Sequence, residues 1–137
     1  MSALVLDSEA FSILARARSG PQHATVHAAL RAALDSHVDV WVPAAVLAEQ
    51  YRGGTHDQVV DSYLGPATGI TVADTTRQLA RRIGNLLARV GRGSKDHVDA
   101  TVVAVAVSAG GGLILTGDPN DLTAIADGLV GVTIESV

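Results

Sequence analysis

Apolar positions in this chain follow two alternating rhythms, short unbroken runs and longer stretches spaced for a helix. The first run, Ala3-Leu4-Val5-Leu6, is apolar throughout, ends in Asp7, and predicts a short buried strand. Ser8 to Arg18 then takes helical spacing, with Phe11, Leu14 and Ala15 on one face and Ser8 placed to cap the start. Ser19-Gly20-Pro21 breaks the chain, and Gln22 to Ser36 resumes the helical period through Val26, Ala29, Leu30, Ala33 and Leu34. Val38 to Val42 is β-branched and alternating, so it reads as a strand. Pro43 is expected in the first turn of the next helix, where its missing N–H is harmless, and that helix runs to about Arg52 before Gly53-Gly54.

The second half repeats the scheme. Thr55 to Leu64 reads as a helix ended by Gly65-Pro66, and Ile70 to Ala73 as a strand. A long helix capped by Asp74 or Thr75 extends to about Val90 and stops at Gly91-Arg92-Gly93. Leu79, Ile83, Leu86, Leu87 and Val90 form its apolar stripe, and Arg77, Arg81, Arg82, Arg89 and Arg92 occupy the opposite arc. Asp96 to Ala109 is a helix of small apolar residues all round, which predicts burial on every side, and Gly110-Gly111-Gly112 ends it. Leu113 to Thr116 is another buried strand, Pro119 to Ala126 a short helix and Val132 to Glu135 a last strand. Strands alternating with helices in this way imply an α/β fold whose central sheet is mostly parallel and covered on both faces. No repeat or linker divides residues 1–137, so one domain is expected.

Composition narrows the chemistry. The chain is 47% hydrophobic but only 3% aromatic, so the core is built from Ala, Val, Leu and Ile. Without cysteine there is no disulfide, thiolate metal site or cysteine nucleophile. The segment Met1 to Asp7 lacks the positive start and extended apolar run of a signal peptide. The longest apolar stretch, Ala100 to Ala109, is far short of the ~20 residues that span a bilayer. A cytoplasmic protein without membrane contact is the simple expectation. The net charge of −4 argues weakly against a polyanionic partner, yet six of the ten basic residues lie between Asp74 and Asp96 with no acid among them.

Four acids then stand out by position. Asp7 closes the first strand, Asp118 lies two residues after the fourth, Asp99 opens the helix that feeds that strand, and Glu49 sits on the helix after the second. Open α/β sheets bind ligands at the carboxyl ends of their strands, so all four are placed to converge there. Crowded carboxylates repel one another, and a divalent cation removes that penalty. Mg²⁺ or Mn²⁺ suits a set of hard oxygen donors, and such a centre activates water and stabilises charge on a phosphodiester under attack.

These segments carry a resemblance. Leu4 to Ser8, Pro43 to Gly53, Asp99 to Ala106 and Leu115 to Leu122 resemble, in order and spacing, the PIN-domain ribonucleases, in particular the VapC-type toxins of bacterial toxin–antitoxin pairs. The resemblance covers nearly the whole chain. It implies a three-layer α/β/α PIN-like fold, Mg²⁺- or Mn²⁺-dependent endoribonuclease activity on RNA, a cognate antitoxin that blocks the site, and a homodimer. Asp7, Glu49, Asp99 and Asp118 match the family's acidic quartet, and Thr116 its hydroxyl residue near the fourth acid. Asp7 and Asp99 would hold the principal metal; Glu49 and Asp118 complete the shell, Asp96 adds a carboxylate, and Asp121 is a weaker candidate. Ser8 stands where the family often has Thr or Asn, and Leu122 where an aromatic commonly follows the last acid.

Each residue also has an ordinary role. Asp7 and Asp118 are placed to cap helices, Asp99 suits a helix N-terminus, and Glu49 could pair with Arg52 at i, i+3. Arg52 is also a phosphate-binding candidate, and Arg81, Arg82 and Arg89 are either a solvated face or contacts for RNA or antitoxin. His23 and His27 have i, i+4 spacing but no third ligand, which points to surface placement. Two competing functions remain open: a non-catalytic α/β binding module or inactive PIN-like scaffold, and a Mg²⁺-dependent phosphotransfer domain. The second is weakened by Glu9 where a phosphatase wants Asp, and by the place of the only lysine, Lys95.

Overall fold

A computed structural model describes residues 3–16 and 19–137. Met1 and Ser2 of the N-terminal segment, and the last two residues of the first expected helix, lie outside the described residues. Among the described residues, five strands alternate with seven helices: β1 (Ala3–Leu6), α1 (Ser8–Arg16), α2 (Pro21–Asp35), β2 (Asp39–Pro43), α3 (Ala44–Gln50) and α4 (Gly54–Ser62). The chain continues through β3 (Ile70–Ala73), α5 (Arg77–Arg89), a 3-10 turn at Ser94–Asp96, α6 (His97–Ser108), β4 (Gly112–Thr116), α7 (Pro119–Ala126) and β5 (Val132–Ser136).

All four strand pairings are parallel, in the order β3-β2-β1-β4-β5. The chain winds outward from β1 to β2 and β3, then crosses back to lay β4 on the other side of β1. That reversal opens a crevice at the carboxyl ends of β1 and β4, the usual ligand position in such sheets. The crossovers place α1 and α2 on one face, while α6 crosses the other between α5 and α7.

Small residues make this packing close. Every residue of α6 from Ala100 to Ala106 is buried, because Ala and Val let neighbouring helices and the sheet approach on all sides. Gly112 is needed where β4 meets β1, since a Cβ there would lie 2.4 Å from the Ala3 carbonyl oxygen. Phe11, fully buried, packs edge-on against Tyr63, 6.5 Å between ring centres.

Several element ends differ from the sequence reading, and three of the differences have a plain physical reason. Pro43 belongs to β2, pairing with Ala73, and caps α3 in extended conformation rather than joining its first turn. Its fixed φ suits strand and cap alike. The cap of α5 is Thr76, whose hydroxyl accepts the Leu79 N–H at 3.1 Å, and not Asp74 or Thr75. Val38 falls outside β2 because it closes α2. Its N–H and that of His37, at φ 57°, bond back to the carbonyls of Ala33 and Leu34 in a Schellman arrangement.

Candidate metal centre

β1 delivers Asp7 into the crevice. The ladder to β4 runs one residue past the strand, with the Asp7 N–H bonded to the Leu115 carbonyl at 3.2 Å. Asp7 is 5% exposed, and its Oδ1 caps α1 by accepting the Ala10 N–H at 2.8 Å. Burial pushes its pKa up to about 6; hydrogen bonds from Ala10 and the Thr116 hydroxyl oppose the rise, and the Glu9 charge adds to it. The Thr116 hydroxyl donates to the Asp118 carbonyl oxygen at 3.0 Å. The same hydroxyl accepts the Asp118 N–H at 2.9 Å, which fixes the loop after β4.

Asp99 enters from the first turn of α6, half-buried. Its pKa is also pushed up to about 6, by burial first and then by the charges of Asp121, Asp7, Asp96 and Glu49. This list describes the site: four acids from three other elements and one turn aim their charge at one carboxylate. Oxygens of Asp96, Asp99 and Asp121 lie within 4.8 Å of one another. Asp96 is buried, and its Oδ2 has no hydrogen-bond partner. A buried, unpartnered carboxylate oxygen beside two further carboxylates is unfavourable without a cation, and an all-oxygen donor set suits a hard divalent ion.

The cleft itself, about 320 Å³, is lined by Asp7, Glu9, Glu49, Asp99, Asp118 and Asp121, with Ser8 between them. The structure thus brings the four acids singled out by position to one cleft. Asp118 is at the same time the cap of α7, accepting the Asn120 N–H at 3.3 Å. Glu49 makes no hydrogen bond or ion pair among the described residues. Arg52, its expected partner, bonds instead to the Ala48 and Tyr51 carbonyls at 3.2 and 2.6 Å and closes α3.

Some contributors were not evident from sequence. Glu9 reaches across the crevice so closely that a Cβ on Gly117 would lie 2.1 Å from its Oε2. Gln50, buried next to Glu49, donates from Nε2 to the carbonyl and hydroxyl of Ser8, at 3.0 and 3.1 Å, and holds the start of α1. Asp121 sits within the carboxylate group rather than at its margin. Arg92 leaves the arginine face altogether, bonding Asp121 at 2.9 Å and Asp96 at 3.5 Å. The i, i+4 spacing of Arg92 and Asp96 was the available signal.

The other arginines lie elsewhere. Arg89 donates to the carbonyls of Asp127 and Ile125, at 2.6 and 2.8 Å, and so ties α5 to the end of α7. Arg81 is exposed on α5, and Arg82 lines a separate groove of about 480 Å³ beside Trp41, Val72 and Val105. His23 and His27 stack with ring centres 6.0 Å apart on α2 and form no three-ligand group among the described residues.

A parallel sheet with an acid-lined crevice at its topological switch places the chain among the open α/β domains. The PIN domain family model matches residues 4–127, and the chain belongs to that family, whose members are as a class nucleases. Among curated proteins no match was found. Among solved structures, the chain is similar to one of VapBC2 from Rickettsia felis bound to a DNA fragment from their promoter. The TM-score is 0.69 at 13% identity, covering 98% of both chains, so the likeness is one of fold. Among the described residues, no helix is long and apolar enough to cross a membrane.

Proposed function

We propose that the protein is a Mg²⁺- or Mn²⁺-dependent endoribonuclease, the toxin of a toxin–antitoxin pair. The observation that carries this reading is the cleft, where Asp7, Glu49, Asp99 and Asp118 meet with Asp96 and Asp121 beside them. PIN-family membership supports nuclease chemistry, and the structural likeness to VapBC2 supports the toxin assignment and an antitoxin partner.

Asp7 and Asp99 would hold the principal ion, with Glu49, Asp118 and Asp96 completing the shell or holding its waters. The bound ion supplies activation of water and stabilisation of charge on the phosphate. The chain's own residues do the rest. Asp7 is fixed by the Ala10 N–H, and Asp118 by its bonds to Thr116 and Asn120, so both carboxylates are positioned before anything binds. Glu49, exposed and unpartnered among the described residues, is free to orient a water or accept its proton. Arg81 and Arg82 offer a cationic face to RNA or antitoxin. A homodimer in the cytoplasm, as one domain over residues 1–137, completes the proposal.

Induced expression in a bacterial host tests it. The expected result is growth arrest, with discrete new RNA 5′ ends in the arrested cells and relief of both by Asp7→Asn. Arrest that persists in Asp7→Asn would overturn the reading.

A further inference from the structure

The acidic cleft carries a cation of its own. Seven of the chain's fourteen acids lie in or beside it: the six that line it, and Asp96. Among the described residues, Arg92 is the one basic side chain bonded to any of them. Its backbone is locked by the turn that closes α5. Gly91 stands at φ 68° with its N–H on the Ala88 carbonyl, and the Arg92 N–H bonds the Leu87 carbonyl at 2.9 Å. From there one guanidinium nitrogen spans Asp121 Oδ1 at 2.9 Å and Asp96 Oδ1 at 3.5 Å.

These are two of the three carboxylates grouped within 4.8 Å, so an ion among Asp96, Asp99 and Asp121 would draw on carboxylates that Arg92 already holds. The arginine leaves the group half satisfied. Asp96 Oδ2 is buried and still lacks a hydrogen-bond partner. The two arms also differ. Asp96 is 8% exposed at its side chain, whereas Asp121 is 52% exposed, and exposed ion pairs are weak.

We propose that Arg92 is a built-in competitor of the metal, holding Asp121 and Asp96 in the metal-free cleft and releasing Asp121 when a divalent ion binds. The inference rests on the metal-nuclease reading of the cleft and adds to it the residue that sets metal affinity. Arg92 is a positioning residue here. It substitutes for part of the missing positive charge, keeps the carboxylates from repelling one another apart, and weakens metal binding in return.

The test is Mn²⁺ titration of the metal-stripped full chain by calorimetry, comparing wild type, Arg92→Gln, Arg92→Lys and Arg77→Gln. Arg77 is exposed on α5 and removes the same charge away from the cleft. Loss of one weak exposed pair should tighten Mn²⁺ binding in Arg92→Gln by roughly 2–5-fold, with Arg92→Lys between it and wild type and Arg77→Gln nearly unchanged. Thermal unfolding separates this from a merely structural role. Arg92→Gln should unfold below wild type in EDTA and close the gap in saturating Mn²⁺. Unchanged or weaker Mn²⁺ binding in Arg92→Gln, or an equal loss of Tm in both conditions, overturns the inference. Absence of Mn²⁺ binding in the wild type as well overturns the metal reading with it.

Discussion

Asp99 in the first turn of α6 lies under the charge of Asp7 at the end of β1, and both carboxyls are pushed up to about 6. Each is held in a place that disfavours its charge, by burial first and then by other acids. A fold that gathers carboxylates under strain gains stability when one becomes neutral. Asp7→Asn keeps an oxygen to accept the Ala10 N–H and removes the charge. In the metal-free protein at pH 7 it should therefore be more stable than wild type, by about 1–2 kcal/mol of a possible ~3. Denaturant unfolding in EDTA measures this; a destabilised variant would contradict it.

The same two groups set a pH dependence. Between the ordinary Asp value of 3.8 and about 6, the folded protein binds more protons than the unfolded chain. Metal-free stability should accordingly be greatest near the acid end of that window and fall as pH rises toward 7. Divalent ions compete with the same protons, so Mn²⁺ binding should weaken below about pH 6. Thermal unfolding from pH 4.5 to 7.5, with Mn²⁺ and with EDTA, checks both signs. A metal-free Tm that climbs steadily to pH 7 would count against the raised values.

Gly117 gives a test at the cleft wall. A Cβ there would meet Glu9 at Oε2, 2.1 Å, and at its Cβ, 3.1 Å, so Gly117→Ala must push the Glu9 side chain aside. Glu9 is exposed and can move, which limits the stability loss to about 1 kcal/mol. If Glu9 contributes charge to the centre, Mn²⁺ affinity drops severalfold in Gly117→Ala and in Glu9→Gln alike. Full affinity in both would leave Glu9 a bystander.

The arginines of α5 should divide by role. Arg89 is spent on two carbonyls at the end of α7, so Arg89→Ala should destabilise the fold by roughly 1–3 kcal/mol, whatever it does to binding. Arg81→Gln with Arg82→Gln should leave stability within about 0.5 kcal/mol and weaken binding to RNA or antitoxin, measured by salt-dependent titration. Unaltered binding would return that face to solvent.

The legible part of this protein was the part written in periodicity. β3 and α7 have the expected bounds, and β1 fills its apolar run, because an unbroken apolar run or an Asp-Pro start leaves little choice of state. The parallel sheet then followed from alternation, and with it the meeting of Asp7, Glu49, Asp99 and Asp118 at one sheet edge, while the strand order did not. What periodicity could not carry was side-chain direction. Arg92 falls on the arginine arc of an extended helical wheel, yet Gly91 at positive φ ends the helix first and swings Arg92 to the acids. Glu9 reads as an ordinary first-turn acid until the bare Gly117 backbone lets it lie across the crevice. Gln50 lies one residue beyond Glu49 and faces inward, a distinction that depends on where α3 meets α1.

The most direct measurement is cleavage of a structured RNA pool by the purified chain in Mn²⁺, with EDTA and Asp99→Asn alongside. The expected result is discrete fragments with Mn²⁺ that disappear in EDTA and in Asp99→Asn, while Asp99→Asn remains folded. Fragments of the same pattern from Asp99→Asn, or from wild type in EDTA, would contradict a nuclease built on this cleft.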